Sequence, residues 1–146
     1  MSEAVQTGGC ACGRVRFEGD GPAKFVANCW CENCRQAHGA AFVTWVGFRN
    51  ERFRISGGAE VLKDWVTPTG ATRSFCVDCG TTLLYRSPRW SEDTHVVATA
   101  LDQGPEFPPK LHVYSDRAPD WCPINDDLPR YGGADGETPL EAEPPS

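Results

Sequence analysis

The sequence predicts a mostly β fold of short strands with one short helical turn, on three observations. Apolar and polar residues alternate with a period of two through much of the chain. Fifteen glycines and 12 prolines punctuate the 146 residues, and both types interrupt regular structure. Seven of the eight cysteines gather into three tight clusters, Cys10-Ala11-Cys12, Cys29-Trp30-Cys31-Glu32-Asn33-Cys34 and Cys76-Val77-Asp78-Cys79.

The elements follow in order. Residues 14–18 alternate as a strand with one wet face does, residues 42–48 are rich in β formers throughout, and residues 52–55 repeat the alternation. Further strands are expected over 60–66, 72–75, 81–86 and 95–101, separated by Ser56-Gly57-Gly58, Pro68-Thr69-Gly70 and Ser87-Pro88. The helical turn is expected over Glu32–His38, where Glu32, Asn33, Arg35 and Gln36 favour it and Gly39 supplies a stop. Residues 1–8 are expected to be a flexible N-terminus, 9–131 one domain, and 132–146, rich in Gly, Pro and Glu, a disordered tail.

Charge and hydropathy narrow the function classes. Fourteen basic and 20 acidic residues give a net charge of −6, which argues against a nucleic-acid binder and favours a small molecule or a protein as partner. No apolar run approaches the roughly 20 residues of a membrane span. The start, MSEAVQTGG, has neither the basic nor the apolar part of a signal peptide, so a cytoplasmic location is expected.

The clusters carry the chemistry. Disulfides suit secreted domains, whereas thiols one or two residues apart on tight turns in a cytoplasmic chain point to a metal, with sulfurs converging at about 2.3 Å on a tetrahedral zinc. Seven ligands are too many for one zinc and one short of two closed sites. The simplest partition is therefore one four-cysteine site and one three-cysteine site, whose open position is what a catalytic zinc keeps for water or substrate. Cys10-x-Cys12-Gly13 and Cys76-x-x-Cys79-Gly80 each carry the glycine that a metal knuckle wants, and together they would close a long loop. The middle cluster, followed by Arg35 rather than glycine, suits a local tridentate site. A competing partition, Cys31 and Cys34 with Cys76 and Cys79, has spacing equally compatible with zinc.

Several of these segments carry a family resemblance. Gly9-Cys10-Ala11-Cys12-Gly13-Arg14-Val15, Cys29-Trp30-Cys31-Glu32-Asn33-Cys34-Arg35 and Phe75-Cys76-Val77-Asp78-Cys79-Gly80-Thr81-Thr82-Leu83 resemble the glutathione-dependent formaldehyde-activating enzymes, a family that includes the centromere protein V group. Val97-Ala98-Thr99-Ala100-Leu101-Asp102 and His112-Val113-Tyr114-Ser115-Asp116-Arg117-Ala118-Pro119 match as well. The resemblance implies a β-tent fold of short antiparallel sheets, a structural zinc on Cys10, Cys12, Cys76 and Cys79, and a second zinc on Cys29, Cys31 and Cys34. It also implies a carbon-sulfur lyase for which glutathione and formaldehyde combine to S-hydroxymethylglutathione, so the partner is a small-molecule thiol or its adduct. Many members have a small residue or His where this chain places the bulky Trp30. Two alternatives stand beside this reading: a non-enzymatic zinc module that binds a protein, and a methionine sulfoxide reductase-like enzyme with Cys122 as nucleophile.

Other residues have a functional and a plain reading. His38, one turn beyond Cys34, is a candidate fourth ligand or a surface residue. Arg35 is the candidate clamp for a substrate carboxylate, with Arg73 and Arg86 as helpers, and each is equally a solvated side chain. Phe42, Trp45 and Phe48 line a pocket or fill the core, while His95 and His112 are read as structural. Asp116 and Arg117 are expected to form an ion pair that pins the terminal segment.

Overall fold

The computed structural model describes residues 4–140. In chain order its strands and helix are β1 (Val5–Gly9), β2 (Arg16–Asp20), β3 (Phe25–Cys29), α1 (Glu32–His38), β4 (Val43–Arg49), β5 (Phe53–Gly57), β6 (Leu62–Val66), β7 (Thr72–Cys76), β8 (Thr82–Arg86), β9 (Asp93–Val97), β10 (His112–Val113), β11 (Tyr131–Gly132) and β12 (Thr138–Pro139). The fold is mostly β, with α1 the one α-helix among the described residues. No helix there is long and apolar enough to cross a membrane. The chain forms two compact units, one from residues 4–25 and 46–107, the other from 26–45 and 108–140.

In the first unit, alternation sets the sheet faces. β2 pairs antiparallel with β1 and with β5, so Phe17 turns inward while Arg16 and Glu18 face out. The Phe17 ring lies 5.5 Å from that of Phe53, tilted by 34°, and Phe17, with Val15, Phe48, Leu83, Leu84 and Val96, is buried. Each such side chain contributes about 1.5–3 kcal/mol relative to exposure. The strands β9, β8, β7 and β6 run side by side in that order as antiparallel neighbours, with Leu62 opposite Cys76 and Leu84 opposite Val96. The turn from β7 to β8 carries Cys76 and Cys79.

The second unit holds β10, β3 and the start of β4 in that order. β10 lies parallel to β3, with His112 opposite Asn28 and Val113 opposite Cys29, a parallel pairing beside the expected antiparallel ones. α1 covers Glu32–His38, as the sequence predicts, and Gly39 ends it in the left-handed region at φ 59°. β3 was not among the expected strands, because it is buried at nearly every position and shows no alternation.

Both chain ends differ from expectation where they are described. The N-terminus, expected to be flexible to residue 8, includes β1, whose Gly8 is buried against Phe17 and the Ala100 carbonyl. The expected tail begins with order: β11 pairs with β12, the Tyr114 N–H donates to the Gly136 carbonyl at 2.9 Å, and the Asp116 carboxylate accepts from the Gly133 N–H at 3.0 Å. Composition misled here because backbone and side-chain hydrogen bonds, together with buried glycines such as Gly136 against the Tyr114 ring, hold the segment without large apolar side chains of its own. Residues 141–146 of that tail lie outside the described residues.

Candidate metal centres

The first unit gathers the sulfurs of Cys10, Cys12, Cys76 and Cys79 within 4.8 Å of one another. Cys10 and Cys12 stand 3.5 Å apart and Cys12 and Cys76 3.9 Å, where a disulfide would need about 2.05 Å. Four sulfurs at 2.3 Å from a tetrahedral ion stand about 3.8 Å from one another, so the donor set fits zinc. Local backbone makes each knuckle: the Gly13 N–H donates to the Cys10 carbonyl at 2.9 Å and the Gly80 N–H to the Cys76 carbonyl at 2.7 Å. Both glycines have positive φ, 79° and 78°, which a side chain would resist. Arg14 joins the knuckles by donating to Asp78 at 2.8 Å.

The thiols of this group differ in their hold on a proton. The Thr81 hydroxyl, then backbone N–H groups, pull Cys79 down to about 6. Cys12 is pushed up to about 12: a backbone N–H at Arg14 draws it down, but the neighbouring thiols and burial prevail. Burial opposes ionisation of Cys10, yet the Val15 N–H, 3.2 Å from its sulfur, and the adjacent thiols lower it. Cys79 and Cys12 are thus moved in opposite directions, and a divalent cation held by the group would favour the thiolate form.

The second unit gathers Cys29, Cys31 and Cys34 within the same 4.8 Å limit. Cys29 ends β3, Cys31 is the extended N-cap of α1, and Cys34 lies in its first turn, where its N–H donates to the Cys31 sulfur at 3.2 Å. Cys29 and Cys34 are buried and Cys31 half-buried. Cys29 is pushed far up, first by its hydrogen bond with Cys31, then by Cys34 and burial. Three close sulfurs fit a zinc ion with one position left over. The sulfurs thus fall into the four-and-three grouping, and Cys31 and Cys34 do not join Cys76 and Cys79.

The other candidates separate. His38 does not join the sulfur group; its ring meets Trp45 edge-on at 5.2 Å. Arg35, next to Cys34, donates from Nη1 to the Arg117 carbonyl at 2.9 Å. Arg73 is buried over the Tyr85 ring, and Arg86 donates from Nε to the Thr94 hydroxyl at 3.1 Å, bordering a cleft of about 380 Å³ that no cysteine lines. Trp45 and Phe48 are core, and Phe42 is partly exposed. Asp116 and Arg117 take separate partners: Asp116 pins Gly133, while Arg117 lies 3.8 Å from Glu32. Cys122 is half-buried and belongs to neither sulfur group.

Sequence reasoning missed one arrangement beside the three sulfurs. The Trp30 indole N–H donates to His112 Nδ1 at 2.9 Å, and His112 Nε2 meets the Asp126 carboxylate at 2.9 and 3.1 Å. Burial works to raise Asp126, but hydrogen bonds from His112 and the Leu128 N–H outweigh it and hold the carboxyl below its usual range. The bulky Trp30 is turned away from solvent, stacked 4.6 Å from Phe42.

Comparison with known proteins agrees on one family. A model of the glutathione-dependent formaldehyde-activating enzymes matches residues 5–117. A Halomonas elongata protein named "Putative glutathione-dependent formaldehyde-activating enzyme" is 32% identical over 133 residues, covering 80% of this chain and 79% of that protein. The crystal structure of a Rhodobacter sphaeroides protein superposes with a TM-score of 0.57 at 26% identity, covering 66% of this chain and 87% of the other.

Proposed function

Because the chain belongs to the glutathione-dependent formaldehyde-activating enzyme family, we propose that it is a zinc-dependent carbon-sulfur lyase acting on a glutathione-type thiol adduct, in the manner of an S-hydroxymethylglutathione synthase. The observation that carries the reading is the three-sulfur group. A zinc needed only for folding is served by the four-sulfur group, whereas Cys29, Cys31 and Cys34 form a separate set of three that leaves a tetrahedral ion one ligand short.

In the synthetic direction the thiolate sulfur of glutathione attacks the carbonyl carbon of formaldehyde. A carbon-sulfur bond forms, the carbonyl π pair moves onto oxygen, and the oxygen takes up a proton; the lyase direction reverses each change. Zinc held by Cys29, Cys31 and Cys34 supplies, when bound, the Lewis acidity that favours thiolate over thiol and polarises a carbonyl oxygen. The chain's own groups prepare that place. The Cys34 N–H bonded to the Cys31 sulfur offsets part of the sulfur charge and fixes the direction of that side chain. All-sulfur donors suit the entry of a further soft ligand such as a thiol. Arg35 is the proposed clamp for a substrate carboxylate through its planar guanidinium, of which Nη1 donates to the Arg117 carbonyl. The interaction-module alternative needs only the four-sulfur group, and the reductase alternative rests on Cys122.

With cobalt in place of zinc, glutathione is expected to alter the thiolate charge-transfer band. Exchange NMR should then show the protein speeding interconversion of formaldehyde plus glutathione with the hydroxymethyl adduct. Cys31→Ser should lose both effects and Cys122→Ser neither. A metal content that never exceeds one ion per chain, or a spectrum and an exchange rate indifferent to glutathione, overturns the reading.

A further inference from the structure

The geometry points to His112 and Asp126 as positioning residues of the three-cysteine site, acting through Trp30; the inference rests on reading Cys29, Cys31 and Cys34 as metal ligands. Trp30 lies between two of them. The sulfurs of Cys29 and Cys31 lie within 4.8 Å of each other while the Trp30 indole goes to His112 and Phe42, the alternation of faces that a segment continuing from a strand gives. Whatever fixes the indole therefore fixes the rotation of the segment about its own axis, and with it the direction of two sulfurs.

Trp30 is held at three points. Its ring stacks on Phe42, its ring N–H donates to His112 Nδ1, and its backbone N–H donates to the Val113 carbonyl at 3.1 Å. An acceptor at Nδ1 places the imidazole proton on Nε2, where it donates to Asp126. Trp30 and His112 are each 2% exposed and Asp126 is 48% exposed, so the chain of hydrogen bonds runs from the buried middle of the ligand segment to the surface. Asp126 accepts in turn from the Leu128 N–H at 3.0 Å, and the backbone N–H of His112 donates to the Pro129 carbonyl at 2.9 Å. On the other side of Cys31, the α1 cap fixes Cys34 independently. The site is therefore a meeting of two limbs, one set by the helix cap and one by the Trp30–His112–Asp126 relay.

The test follows zinc leaving the intact protein into a chromophoric chelator, with the four-cysteine site as internal reference. Wild type should release two ions in two phases, the faster one absent from Cys31→Ser. Trp30→Phe, which keeps the stack on Phe42 and loses the N–H, should accelerate that phase about 10-fold, the scale of losing a group that orients metal ligands. Asp126→Asn, at a half-exposed position that tolerates change, should accelerate it in the same direction, and the double variant should be no faster than Trp30→Phe because both cut one relay. His112→Asn, whose amide oxygen can accept from the indole, should retain the ion better than His112→Leu. Unchanged release from Trp30→Phe and Asp126→Asn overturns the relay while leaving the metal site standing, as does equal acceleration of both phases, which marks general destabilisation. A wild type that holds one ion overturns the metal reading and the relay with it.

Discussion

If each sulfur group holds an ion, replacing one cysteine in each should destabilise the protein unequally, and the size of the difference follows from loop closure. Cys12 and Cys76, 64 residues apart in sequence, bring their sulfurs to 3.9 Å. In the chain-entropy account, a cross-link closing a loop of that length removes about 4 kcal/mol of unfolded-state entropy at 25 °C, and one closing the roughly five residues from Cys29 to Cys34 removes about 2 kcal/mol. For a domain of this size each kcal/mol moves the melting temperature by about 2–4 °C. Cys76→Ser should therefore melt about 12 °C below wild type, since it also leaves a polar group at a fully buried position. Cys31→Ser should melt about 5 °C below, because α1 and β3 are held by their own hydrogen bonds. The assay is thermal unfolding followed by circular dichroism at fixed free zinc, with metal content measured for each variant. Equal losses, or a larger loss for Cys31→Ser, would refute the assignment of the long-range clamp to the Cys10, Cys12, Cys76 and Cys79 group.

Two further outcomes follow from the first unit. Gly8→Ala should lower stability by about 1–3 kcal/mol, the usual cost of overpacking, because a Cβ there would meet the Ala100 carbonyl oxygen at 2.3 Å and Phe17 Cζ at 2.5 Å; an unchanged melting curve would mean β1 does not pack as described. Hydrogen bonds from Arg16, then from Thr7, hold the Asp102 carboxyl below its usual range. A depressed folded pKa gives stability that is present above the unfolded value, about 3.9, and lost as pH falls through the folded one. Denaturant unfolding should therefore show wild type losing more stability than Asp102→Asn on acidification below about pH 4, the acid release of metal being common to both. Identical acid slopes would exclude a role for this pair.

What was legible in the sequence was what is decided locally. The helix was read to its ends because an extended residue at Cys31 and a left-handed Gly39 are local conditions. The knuckles were read from cysteine spacing and their glycines. Which knuckle joins which was not, since Cys12 and Cys76 meet across 64 residues and spacing serves either partition. β3 was missed because it is buried at nearly every position, so successive side chains on both faces are shielded and the period-two signal vanishes. The segment after residue 131 was misread for the opposite reason. β12 is exposed at both residues, and the turn is ordered by the Asp135 carboxylate, accepting from the Glu137 N–H and the Thr138 hydroxyl, and by Gly136 against the Tyr114 ring, neither of which a hydropathy pattern reveals.

Trp30 shows why a residue can look wrong in sequence and fit in space. Counted along the chain, an indole between two candidate ligands is bulk beside the proposed substrate site. Counted by faces, it is on the far side of an extended segment, and its size is useful there because it reaches His112, 82 positions later. No local pattern announces that partner: His112 has no thiol beside it, and the carboxylate that completes the relay is 14 residues further on. A small side chain at position 30 would leave the sulfur face unaltered in composition while removing the one N–H that addresses Nδ1. The segment from Cys29 to Cys31 would then keep its β3 pairing, its backbone bond to Val113 and the α1 cap but lose the indole anchor, so the hold on a bound ion would vary with a residue that never touches it.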